Sequence, residues 1–170
     1  MRSLSLLIPR SDAASGLGLL RTALGELLET RFVLRYTSYL GALAAGLGRA
    51  GQVADGIRAI DEALGISEHR EERWCIAELL RIKGELKLLE GATDAATTAE
   101  DSFRQALGWA HHQGALSWEL RAAASLARLW RDRGRPEEAH CLLAPIYDRF
   151  TEGFETADLR AAKALIEELQ

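Results

Sequence analysis

The chain has 170 residues, room for one domain or a short array of repeats with a hydrophobic core. Leu (29) and Ala (28) fill about a third of it, while Val and Ile together supply only 10 residues, a usage that excludes a sheet protein. Charged residues at 27% argue against disorder, and a formal charge of -4 gives no general attraction to nucleic acid or acidic membranes.

The apolar opening at Leu4, Leu6, Leu7 and Ile8 stops at Pro9 and Arg10. It is too short for a signal-peptide core, and no apolar run approaches the roughly 18 to 20 residues of a membrane span. The two cysteines, Cys75 and Cys141, cannot form a disulfide framework, which fits a reducing cytoplasm. Both fall in apolar-periodic helices and are expected to be buried packing residues.

The chain repeats itself. Gly16-Leu17-x-x-Leu20-x-x-Ala23-Leu24 recurs after 40 residues as Gly56-Ile57-x-x-Ile60-x-x-Ala63-Leu64. A further copy, Ala99-x-x-x-Phe103-x-x-Ala106-Leu107, follows 43 on, and Ala139-x-x-x-Leu143-x-x-Ile146-Tyr147 comes 40 after that. Each copy is one face of a helix, with a small residue that lets a neighbouring helix approach closely. Three of these helices are preceded by a periodic segment ending at a glycine: Leu40 to Gly51, Leu80 to Gly91 and Ala123 to Gly134. Glycine just past a periodic run stops a helix, and Pro136 falls in the first turn of the next one. The predicted unit is helix, tight glycine turn, helix, about every 40 residues.

Leu126-Ala127-x-x-Trp130-x-x-x-Gly134-x-x-x-x-Ala139-x-x-x-Leu143 and Leu43-Ala44-x-x-Leu47-x-x-x-Gly51-x-x-x-x-Gly56-x-x-x-Ile60-x-x-Ala63 resemble the tetratricopeptide repeat (TPR). The middle unit departs from that pattern at Lys83 and Lys87 and carries a three-residue insertion within Gly91 to Thr98. The segments Glu72 to Leu86 and Ser117 to Ala123 resemble the C-terminal repeat region of large bacterial signalling proteins. In that family the repeats follow a predicted ATPase module, with a nucleotide-cyclase or winged-helix DNA-binding domain at the N-terminus. The implied fold is an all-α, TPR-like right-handed superhelix of antiparallel helix pairs. It has an incomplete first repeat over 12–30, repeats over 31–67, 71–113 and 117–150, and a capping helix over 155–169. The sequence then reads as a run of repeats cut mid-unit at its start.

No catalytic, cofactor or metal constellation emerges. Gly41 to Gly48 lacks the Lys-Ser/Thr end of a phosphate loop and reads as small residues at a close helix contact. His111 and His112 are neighbours on a helix, so their side chains point about 100° apart and cannot share a metal. Trp74 and Trp118 open successive repeats and are expected to stack inside, between units.

The resemblance implies non-catalytic binding of a protein partner through the concave face, which the first helix of each unit lines. Carried over by position, that face holds Arg49, Glu78, Arg81, Glu85, Arg121, Arg128 and Arg131. Arginines in a stripe pair bidentately with acidic peptide groups, although a solvated basic face explains each one singly. Gly41 and Ala45 stand where chaperone-binding TPRs carry Lys and Asn, so no clamp for a terminal carboxylate is implied. The other reading is a small-molecule effector sensor with a closed pocket. The half-unit at the start is expected to expose an apolar edge at Leu4, Leu6, Leu7, Ile8, Leu17 and Leu20 and to form a homodimer there.

Overall fold

The computed structural model describes residues 10–29 and 35–170, and the described residues are helical with no strand. The helices are α1 (Arg10–Glu29), α2 (Tyr36–Arg49), α3 (Val53–His69), α4 (Ile76–Glu90), α5 (Ala95–His112), α6 (Leu116–Asp132), α7 (Pro136–Tyr147) and α8 (Ala157–Glu168), with a 3-10 turn at Arg73–Cys75. Among the described residues no helix is long and apolar enough to cross a membrane.

Three tight turns join α2 to α3, α4 to α5 and α6 to α7 into hairpins, and Gly51, Gly91 and Gly134 sit in those turns with positive φ. A side chain there would be strained, which is why glycine marks each stop. Pro136 opens α7, where no N–H is needed. The helices that start the hairpins begin 40 residues apart, at Tyr36, Ile76 and Leu116. Much of the predicted insertion extends α5, which starts at Ala95, and the turn before it is Gly91 to Asp94.

Each helix packs on its neighbour in chain order, and α2, α4, α6 and α8 also touch in succession. Two apolar clusters result, one centred on α2 to α4 and one on α5 to α8, bridged by Leu80, Ala106 and Ala122. α6 lies inside the stack, and its residues from Ala122 to Ala127 are all buried.

Small residues set the spacing between helices. A Cβ at Gly41 would stand 2.6 Å from Leu79, one at Gly48 2.6 Å from Leu86, and one at Gly46 2.7 Å from Leu17. The glycine-rich run of α2 is thus a packing surface. At Gly84 the Phe103 ring comes closer still, 2.5 Å from the position a Cβ would take.

Several expectations need correcting. Leu17 is buried against α2 and Leu20 is half-buried on the same cluster, so neither forms an open apolar edge. Leu19, on the other side of α1, is the exposed residue, while Leu4, Leu6, Leu7 and Ile8 lie outside the described residues. Cys75 is buried as expected, but Cys141 is exposed. The α7 face that meets the core carries Ala139, Leu143 and Ile146, and Cys141 points away from it. Trp74 and Trp118 do pair, with ring centroids 6.1 Å apart, but at the surface: Trp74 is exposed and Arg35 lies 5.1 Å over its ring.

A charged strap ties α5 to the end of the α6–α7 hairpin. Glu100 accepts a hydrogen bond from the buried Trp130 indole at 2.9 Å and pairs with Arg104 at 2.8 Å, Arg133 at 3.2 Å and Arg135 at 3.5 Å. Arg104 and Arg135 also lie 5.3 and 4.7 Å over the Trp130 ring. Burial works to raise the Glu100 pKa, and the hydrogen bonds from Arg104 and Trp130, with the charge of Arg135, outweigh it and hold the carboxyl below its ordinary range. Because the folded pKa is the lower one, this stabilisation is present above the unfolded value of about 4.3 and is lost as pH falls through the folded value. Glu100→Ala is expected to destabilise the protein by about 1–3 kcal/mol at pH 7, leaving the Trp130 N–H unpaired. Urea unfolding of both forms at pH 7 and under acid should show the gap narrowing as pH falls.

Candidate functional site

α4, α6 and α8 enclose a cleft of about 90 Å³ lined by Arg81, Leu120, Arg121, Ala124, Arg128, Asp158 and Ala161. Helical spacing explains the lining. Arg121, Ala124 and Arg128 are three and four residues apart and share one face of α6. Arg81 faces them from α4, and Asp158 and Ala161 come from the first turns of α8.

The three arginines differ in what already holds them. Arg81 is 7% exposed and donates to Glu78 through Nε at 2.8 Å and Nη2 at 2.7 Å. It also pairs through Nη1 with Glu85. Burial lowers its pKa, but the hydrogen bonds and charges of Glu78 and Glu85 raise it by more, so the guanidinium stays charged. Arg121 reaches across to the same Glu78 at 2.8 Å and stands 3.9 Å from Asp158.

Arg128 is the exception. It is half-buried, and among the described residues no carboxylate lies within ion-pair distance of it. Its Nη2 donates to Ser125 Oγ at 3.3 Å, and Ser125 in turn donates to Glu85 at 3.2 Å. Burial pushes the Arg128 guanidinium down; Glu85 works against this, and the charges of Arg81 and Arg131 press it lower.

Of the concave-face residues predicted from sequence, Arg81, Arg121 and Arg128 line the cleft, and Glu78 and Glu85 buttress Arg81. Arg81 is a buried hub instead of a solvated arm. Arg131 is diverted to Asp132 at 2.9 Å and Glu168 at 2.7 Å, and Arg49, exposed at the end of α2, is not part of the lining. Sequence reasoning missed Asp158 and Ala161. The capping helix was visible as an amphipathic segment, but nothing in its pattern says that its first turn meets α6.

A second buried charge lies near the start of α6. Glu119 is 4% exposed, and its Oε1 stands 2.8 Å from Arg149 and 3.1 Å from His111 Nδ1. These contacts tie α6 to the end of α5 and to the turn after α7, and they face away from the cleft lining. No cluster of three or more metal-ligating side chains is present among the described residues.

Together the fold and cleft define an all-α protein of stacked helical hairpins with a charged cleft between alternate helices. No family model matches the chain. The chain is similar to an uncharacterized protein of Rhizobium meliloti (strain 1021), with 32% identity over 120 residues, 71% of this chain. The chain spans about 12% of the length of that relative.

Proposed function

We propose that the chain is a TPR-like binding module, similar to the repeat region of bacterial ATPase- and cyclase-type signalling proteins, and that it is non-catalytic. It recognises a protein partner through the face formed by α2, α4, α6 and α8. The helix-turn-helix units starting 40 residues apart support the repeat reading, as do the successive contacts of α2, α4, α6 and α8. The observation that carries the binding reading is the cleft in which Arg81, Arg121 and Arg128 converge.

Cleft size favours a partner's side chain over a free effector. Small-molecule sites run to about 300–1,000 Å³, whereas this cleft is about 90 Å³. Acidic groups of an extended segment match its arginine lining.

Affinity capture from native cell extract, with Arg121→Ala/Arg128→Ala as the paired control, tests this reading. A partner retained by the parent chain and reduced about ten-fold or more by the double variant supports it, since losing charge-assisted hydrogen bonds worth about 1.5–3 kcal/mol has that effect. Equal capture by both forms removes the groove as the binding surface.

A further inference from the structure

The cleft has a more specific chemistry than a basic patch. Two of its arginines are already paired: Arg81 with Glu78 and Glu85, and Arg121 with Glu78 at 2.8 Å, closer than Asp158 at 3.9 Å. What remains is Arg128, half-buried, hydrogen-bonded only to a serine hydroxyl among the described residues, and facing the space between α4 and α8. No carboxylate within ion-pair distance replaces the hydration this half-buried guanidinium has lost, and Glu85 reaches it only through the Ser125 hydroxyl. Its planar fork of donors fits a carboxylate through two parallel hydrogen bonds.

The opposite wall limits which anion fits. Asp158 lines the same cleft, and its charge repels a second negative charge. One free cation facing one fixed anion favours a monoanion over a phosphate dianion. A cleft of about 90 Å³, well below the size of small-molecule sites, suits a short acidic side chain.

We propose that the Arg128 cleft is a subsite for a single carboxylate, the side chain of a Glu or Asp in an extended partner segment. This rests on the reading of the α2–α4–α6–α8 face as a binding groove and narrows it to one residue and one ligand class. Arg81 and Arg121 are positioning residues: their ion pairs with Glu78, Glu85 and Asp158 fix the walls within which Arg128 acts.

Side-chain Nε–Hε NMR spectra of the full chain test this directly, with the Arg128 signal assigned by its loss in Arg128→Lys. Sodium acetate at constant ionic strength should shift that signal along a saturating curve, while exposed Arg160 drifts little and linearly. Inorganic phosphate should act more weakly than acetate. In Asp158→Asn the phosphate affinity should rise several-fold, a gain that misfolding cannot imitate. Arg128 and Arg160 moving in parallel with every anion would show charge screening alone and overturn the subsite.

A glutamate-rich peptide followed by fluorescence anisotropy separates the two levels of the proposal. Binding weakened about ten-fold by Arg128→Gln supports both the groove and the subsite. Binding unchanged by Arg128→Gln overturns the subsite and leaves the groove standing. Saturable acetate binding at Arg128 with no peptide binding supports the carboxylate site and overturns the groove.

Discussion

Phe103→Ala is expected to destabilise the protein by about 3–5 kcal/mol, the range for emptying a fully buried aromatic site. Phe103 is 0% exposed and sits where α5 crosses α4, with Gly84 directly beneath its ring. On its other side it joins the cluster of Leu120, Ala123 and Leu126 from α6. The ring therefore fills the junction of three helices. Gly84 gives the complementary experiment. Gly84→Ala improves helix propensity by about 1 kcal/mol, but the new Cβ would overlap the Phe103 ring at 2.5 Å, and overpacking costs about 1–3 kcal/mol. A net loss is expected, with Gly84→Leu far worse. Combining Gly84→Ala with Phe103→Leu should recover part of the loss, since the two sites share one space. Urea midpoints at constant slope measure all four variants.

The second large effect concerns the buried Arg81 hub and has an asymmetric outcome. Glu78→Ala removes the principal partner of a 7%-exposed guanidinium and of Arg121 together. Breaking one side of a buried pair costs about 3–5 kcal/mol. Here Glu85 still holds Arg81 and Glu78 is partly wetted, so about 2 kcal/mol is expected. Arg81→Met should cost less, about 1 kcal/mol or under, because Met fills the volume of the arginine stem. Glu78 then keeps Arg121, and Glu85 keeps the Ser125 hydroxyl. Thermal unfolding of both variants measures the difference. A larger loss for Arg81→Met than for Glu78→Ala would mean that the hub stabilises the stack more by its charge than by its packing.

Element order was readable from sequence because two simple rules act at short range. Positive-φ glycines at 51, 91 and 134 end helices, and the periodic apolar faces between them define what is buried. The same rules locate the arginine face, since residues 121, 124 and 128 must share one side of a helix. They cannot say which charges are already spent. Arg81 reads as a solvated residue in mid-helix, and its burial depends on the helices packed around α4. Lys83, odd for a repeat core position, instead reaches Asp61 on α3 at 2.8 Å. Cys141 departs from its expected burial because α7 carries apolar residues beyond its buried face, so periodicity alone does not fix its direction. The contribution of Asp158 depends on how α8 docks, a tertiary contact with no local signature.

The proposed partner recognition takes place on the face built by alternate helices. Backbone amide shift mapping with a glutamate-rich extended peptide tests it most directly. Perturbations confined to α4, α6 and the first turn of α8, strongest near Arg121, Arg128 and Asp158, are the predicted result. Perturbations centred on α3, α5 and α7, or none at saturating peptide, would contradict it.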